Sequence, residues 1–191
     1  GVYFWNQLPD VIATHFGMDG TPNGWSSKWF AVVGLPVFLV IINIICMITC
    51  ENDPRRYKYP EKMMKIVYWI CPVCSWIGAG SIYAYELGYK MKNMGYWVSL
   101  ILGIAFIIIG NYLPKVKQNW YLGIKLPWTY ADEDNWNKTH RLGGKVWVIG
   151  GILILLNVFI KIKYLEAAIF AAMILIPTIF SFLYDRKKRK A

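Results

Sequence analysis

"WFAVVGLPVFLVIINIICMITC", residues 29–50, runs for about six helical turns without a charged side chain. An α-helix rises about 1.5 Å per residue and needs roughly 20 apolar residues to cross about 30 Å of hydrocarbon, so this stretch predicts a transmembrane helix. Residues 66–85, 93–114 and 146–160 are also free of charge, and 164–184 holds a single acid, Glu166, near its start. The run 146–160 is short for a crossing and is expected to rely on Lys145 and Lys161 snorkelling at its ends. Spans are therefore expected at about 29–50, 66–87, 94–113, 146–160 and 164–184. The fold class that follows is all-α, a polytopic transmembrane helix bundle of five spans behind an outer lobe, residues 1–28. Composition agrees: 57% of the 191 residues are hydrophobic and 17% charged, against about 25% charged in a soluble domain.

The net charge of +10 is distributed unevenly. If residues 1–28 face outward, the outer segments hold only Lys28, Lys90, Lys92, Lys161 and Lys163. The inner segments hold five cations in 51–65, six in 115–145 and five in 186–190. Such sorting is the positive-inside bias, and it places the C-terminus in the cytoplasm. The basic excess then reflects topology and attraction to anionic membrane lipids, with "DRKKRK" as an inner-face anchor, and requires no nucleic acid. A chain that begins at Gly1, without methionine, on the outer face is expected to have lost a signal peptide or to be entered after an earlier span.

In the outer segment, Asp19-Gly20 and Asn23-Gly24 are strong turn dipeptides, so a small hairpin-like lobe is expected there, with Trp25 and Trp29 at headgroup level. His15 and Asp19 could supply half of a metal site, but a zinc site needs three or four ligands, and a hydrogen-bonded His is the preferred expectation. Cys46, Cys50, Cys71 and Cys74 all fall at the inner edge of the first two spans. "CPVC" has the spacing of a thiol–disulfide motif. Burial in lipid raises a thiol pKa, however, and the inner side is reducing, so packing beside the kink at Pro72 is favoured over redox chemistry.

Asn43, Asn157 and Ser75 lie inside spans and are expected to hydrogen-bond to neighbouring helices. No ionisable residue sits at mid-span, which argues against an ion-coupled transporter. A passive transporter or flippase stays open as the alternative function.

Between the third and fourth spans runs "NYLPKVKQNWYLGIKLPWTYADEDNWNKTHRLGGK", residues 111–145. Pro114 is expected to stop the third span, with Asn111 capping freed carbonyls. Thr129 and the acids 132–134 suit a helix start. A short amphipathic cytoplasmic helix is predicted from about Asp132 to Arg141, with Trp136 and His140 on one face and Gly143-Gly144 ending it. Anchoring to lipid and binding a partner are both open for this loop, 114–145. With one His and no Ser or Cys in the loop, an enzyme is not expected, and no cofactor or metal is implied.

The segment "LPDVIATHFGMDGTPNGW" resembles the short outer module that often precedes SdpI-type bacterial immunity proteins, and "GNYLPKVKQNWYLGIKLPWTYADEDNWNKTHRLGG" resembles that family's central signature. Together with their placement between spans, the two motifs extend the resemblance over most of the chain. It implies a multi-pass protein of the bacterial plasma membrane that gives resistance to a secreted toxin peptide and holds a cytoplasmic transcriptional repressor at the membrane. It also implies, as binding positions, Asn111, Pro114, Lys115, Asn119, Gly123, Lys125, Trp128, Thr129, Trp136, Lys138, Thr139, His140 and Arg141. In the outer lobe, His15, Asp19 and Gly20 are the candidate site residues. Lys125 stands where Arg is usual and Leu126 where Thr is common, so a compact ammonium replaces a forked guanidinium. Relatives of this type usually carry a span before the outer lobe. The toxin's identity and the oligomeric state are not written in the sequence.

Overall fold

The structure, a computed structural model, describes residues 1–17, 21–88 and 94–190. Asp19 and Gly20 therefore lie outside the described residues. Among the described residues, five helical stretches are long and apolar enough to cross a membrane: Phe30–Glu51, Glu61–Glu86, Gly95–Lys115, Glu133–Ile160 and Leu165–Lys188. They are built on α1 (Leu35–Glu51), α2 (Glu61–Glu86), α3 (Met94–Tyr112), α5 (Glu133–Ile160) and α6 (Leu165–Lys188), with a short α4 (Pro127–Ala131) before the fourth. The chain is a multi-pass, all-α membrane protein apart from one two-stranded hairpin. Its contacts divide it into two units, Gly1–Glu51 with Met64–Trp97 and Asn52–Met63 with Val98–Ala191.

In the first unit, β1 (Val11–Phe16) pairs antiparallel with β2 (Pro22–Ser27), Val11 opposite Ser27 and Ile12 opposite Ser26. The expected hairpin is present, but Asn23-Gly24 is not its turn. Both lie within β2, Gly24 opposite His15, where an added Cβ would stand 3.0 Å from the His15 Cβ. Close strand approach, and not positive φ, is what Gly24 supplies. Leu8, Ile12, Ala31, Val32 and Ile82 form a buried core beneath the hairpin, and the Glu86 carboxylate accepts the Ala13 N–H at 2.7 Å.

Pro72 lies inside α2 and has no N–H for the Tyr68 carbonyl four residues back. Asn43 of α1 donates its side-chain amide to that carbonyl at 3.4 Å. The polar residue foreseen as interhelical glue thus fills a vacancy made by a proline. Val37, Phe38, Ile41, Ile44, Ile45 and Ile48 stay exposed along α1, as a lipid-facing surface requires, since lipid tails solvate them as well as protein does. No disulfide joins Cys46, Cys50, Cys71 and Cys74.

The second unit is organised around α5, the most buried of the five long helices. Its glycines come as two adjacent pairs seven residues apart, and the two members of each pair face different neighbours. A Cβ on Gly144 would stand 2.7 Å from the Gly110 carbonyl oxygen, and one on Gly151 would stand 2.6 Å from that of Gly103, both on α3. Gly143 faces Ile124, Leu113 and Pro177, while Gly150 faces Met173 and Ile169 of α6. Two stripes of absent side chains let α3 and α6 close on α5, α3 by direct backbone contact.

This overturns the expectation that Gly143-Gly144 ends a short helix. The helix that begins at Asp132 runs unbroken to Ile160, because these glycines are packing surfaces with helical dihedrals and not left-handed caps. The fourth span is correspondingly not short. Its 28 residues reach about 42 Å, so the polar turns before Val146 project beyond the apolar stretch. Left-handed residues appear instead at Lys161 and Tyr164, in the tight connection to α6. There Asn157 accepts the Ile162 N–H at 2.9 Å and donates to the Ile162 carbonyl and Glu166 Oε1, both at 3.3 Å. Glu166 Oε2 accepts the Ser99 hydroxyl at 2.9 Å.

Candidate functional site

α3 ends at Tyr112 and passes into a 3-10 turn, Leu113–Lys115, with Pro114 at its second position. The missing proline N–H makes the start of a turn the position it tolerates best. From Val116 the chain folds back in a loop that reaches α4 at Pro127, and side chains hold many of its irregular steps.

Asn119 is wholly buried and fully satisfied. Its amide nitrogen donates to the carbonyls of Lys117 (2.7 Å) and Leu122 (2.9 Å), and its oxygen accepts the N–H groups of Tyr121 (2.9 Å) and Leu122 (2.7 Å). One side chain thus replaces the hydrogen bonds that a turn lacks. Thr129, also buried, accepts the Leu126 N–H at 2.9 Å and donates to the carbonyls of Ile124 and Leu126. It was expected to cap a helix start and instead closes the first turn of α4 from within. Asp132 is the residue that caps α5, accepting the Asp134 N–H.

Beneath the loop, Trp136 and His140 stack with ring centres 4.1 Å apart and planes at 18°, both 0% exposed. The i, i+4 spacing foreseen in the sequence puts them on one face. The Trp136 indole N–H donates to the Val116 carbonyl at 2.8 Å. His140 Nδ1 meets the Trp136 carbonyl at 2.8 Å, and Nε2 accepts the Ile124 N–H at 2.9 Å. A carbonyl can only accept, so the proton sits on Nδ1 and the ring is neutral. Gly123, at φ +113°, passes directly over this stack, and any Cβ there would overlap His140. Only glycine serves, for its dihedral and for its size.

A second buried group ties α5 to α6. Thr139 and Ser181 both donate to Asn135 Oδ1 at 2.9 Å, and Asn135 returns a bond to the Ser181 carbonyl at 3.0 Å. At the rim, Lys188 pairs with Asp132 at 2.7 Å, Lys138 pairs with Asp134 at 3.0 Å, and Tyr184 hydrogen-bonds to Asp134.

The signature residues therefore fall into two sets. Asn119, Gly123, Thr129, Trp136, Thr139 and His140 are the loop's interior. Asn111, Pro114, Lys115, Lys125, Lys138 and Arg141 are exposed, although the Pro114 ring also lies against Gly144. The side chains of Lys125 and Arg141 have no hydrogen-bond or ion-pair partner among the described residues. Trp128 packs edge-on against Phe182, centroids 5.4 Å apart, and its buried indole N–H has no partner among those residues. In the outer lobe, exposed His15 hydrogen-bonds through Nδ1 to the Asn23 side chain.

Residues that sequence reasoning passed over complete the loop. Asp53, 4% exposed, accepts the N–H of Arg55 at 2.7 Å and of Trp120 at 3.2 Å, and the Tyr59 hydroxyl. Burial works against its carboxylate, but those three donors and the Arg55 charge outweigh burial and hold the carboxyl below the usual range. Gln118 donates to the carbonyls of Thr129 (3.0 Å) and Tyr130 (2.9 Å) and accepts from Arg55 at 3.3 Å. The Asp53-Pro54 dipeptide marks a turn, but nothing in the sequence joins it to a loop more than sixty residues away.

Residues 115–184 match the SdpI/YfhL protein family, and residues 1–40 match a domain of unknown function, DUF1648. Across 94% of this chain there is 26% identity to the immunity protein SdpI of Bacillus subtilis (strain 168), covering 90% of that protein. No solved structure matches. The likeness to the SdpI/YfhL protein family thus lies in the loop and the last two helices, and the likeness to DUF1648 at the front of the chain.

Proposed function

We propose that this protein is a non-enzymatic immunity and signalling protein of a bacterial plasma membrane, giving resistance to a secreted, membrane-active toxin peptide. The outer lobe, 1–28, faces outward and meets the toxin together with the spans. The loop 114–145 and the C-terminus face the cytoplasm, where the loop engages a partner such as a transcriptional repressor. The observation that carries this proposal is the likeness to an immunity protein over nearly the whole chain. The loop's construction supports a binding role. Its interior is a finished scaffold, which leaves contact to the exposed cations Lys125 and Arg141 and to Trp128 at the edge. A basic, aromatic surface suits an acidic partner.

The test is expression of the chain in a strain sensitive to the candidate toxin peptides of its source organism. Survival is expected, and it is expected to fall with Trp128→Ala or Arg141→Ala while membrane insertion stays normal. Unchanged killing by every candidate peptide overturns the proposal.

A further inference from the structure

The turn at Asp53–Tyr59 and the loop after Val116 enclose a shallow cleft of about 350 Å³ lined by Arg55, Trp120 and Tyr130. Its walls are fixed by the groups already described. Asp53 holds the backbones of Arg55 and Trp120, and Gln118 joins the Arg55 side chain to the carbonyls of Thr129 and Tyr130. The Tyr130 hydroxyl donates to the Trp120 carbonyl at 3.0 Å. All three lining residues thus belong to one frame, Trp120 through its backbone.

We infer that this cleft binds the phosphate of a membrane phospholipid. Arg55 has five N–H donors and gives one to Gln118. The nearby carboxylate, Asp53, is buried under three donors and does not line the cleft. A guanidinium with donors to spare and two flat rings beside it fits a tetrahedral oxyanion, which it can bind through two parallel hydrogen bonds. Lys115, Lys117 and Lys125, exposed on the same loop, add positive potential.

A soluble phosphate would meet the same guanidinium, but the surroundings favour a lipid. Trp120 is 55% exposed, and Tyr121 and Tyr130 about 40% each. The cleft also stands where α2 begins and α3 ends, at the boundary of the apolar helices. Phosphates lie at that depth in a bilayer, and exposed Trp and Tyr rings are most stable there.

The test is native mass spectrometry of the full chain in detergent, titrated with phosphatidylglycerol and, separately, with diacylglycerol, which has the chains and no phosphate. One retained phosphatidylglycerol per protein is expected and no retained diacylglycerol. Arg55→Gln should weaken retention at least fivefold, Arg55→Lys by less, and Lys163→Gln, exposed in the connection between α5 and α6, not at all. The Asp53 clamp uses the Arg55 backbone N–H, which every one of these variants keeps, so only a small shift of the unfolding midpoint, from the lost Arg55–Gln118 bond, should accompany the loss. Equal retention by Arg55→Gln, or equal retention of diacylglycerol, overturns the site. Displacement of the lipid by millimolar inorganic phosphate assigns the cleft to a soluble anion instead. Displacement by a micromolar oligoglutamate peptide assigns it to an acidic protein segment. Either result overturns the lipid assignment.

Discussion

The indole nitrogen of Trp147 donates to the carbonyl of Met173 at 3.1 Å, joining α5 to α6. Met173 stands four residues before Pro177, which has no N–H to return to it. Trp147 therefore supplies the donor that the proline removed, as Asn43 does for Tyr68 before Pro72. Trp147→Phe is expected to cost about 0.6–2 kcal/mol, and clearly less in a Pro177→Ala background, where the new backbone N–H takes over. A double-mutant cycle of unfolding in detergent reads the coupling. Equal costs in both backgrounds would show that the bond contributes nothing.

The paired glycines give a sharper contrast. Gly144→Ala and Gly151→Ala each push a methyl into an α3 carbonyl and should destabilise by roughly 1–3 kcal/mol. Gly78→Ala and Gly80→Ala, where nothing lies within 4 Å, should be neutral or slightly stabilising, since alanine favours helix. Thermal unfolding of the four variants separates the two pairs.

His140 and Arg141 are adjacent, yet they should fail in opposite ways. His140→Phe keeps the stack on Trp136 but strands the Ile124 N–H, at a cost of about 1–3 kcal/mol. Arg141→Ala, exposed, should move stability by less than about 0.5 kcal/mol while abolishing protection against toxin. Proteolysis of the loop together with a killing assay distinguishes them. Loss of folding in Arg141→Ala would refute its role as a contact.

The bond between Asp53 and the Trp120 backbone sets a pH limit. A carboxyl held below its ordinary value when folded adds stability above its unfolded pKa of about 3.9, and that stability is lost as pH falls through the folded value. Hydrogen exchange at Trp120 should therefore stay constant from neutral pH to about pH 5, after correction for intrinsic rates, and quicken only below about pH 4. Asp53→Asn should remove the dependence.

Sidedness is open to labelling. A single cysteine at Lys125, in a background free of native cysteines, should be unreactive to an impermeant maleimide in intact cells and reactive after lysis. Labelling from outside would invert the proposed topology.

The sequence announced its helices clearly because charge-free length is decided by the hydrocarbon alone. That Trp136 and His140 share a helix face was also legible, from simple i, i+4 spacing, although their stacking was not. Gly143-Gly144 misled because glycine ends helices and packs helices equally well, and only the neighbour's backbone tells which. Asn23-Gly24 failed for the same reason within a strand. The interior role of Asn119 and Thr129 stayed hidden because their partners are main-chain groups, which every sequence possesses. Asp53 and Gln118 were missed because their contacts depend on how distant segments fold, and no local pattern encodes that.

Since α5 has no joint at its glycines, it is one stiff rod from the indole–imidazole stack to Asn157, about 32 Å along the axis. Anything that shifts the stack must tilt or turn the far end in step, because no hinge between them can absorb the movement. α3 leans on that rod through bare peptide at Gly103 and Gly110, where it has no side chain of its own to take up slack.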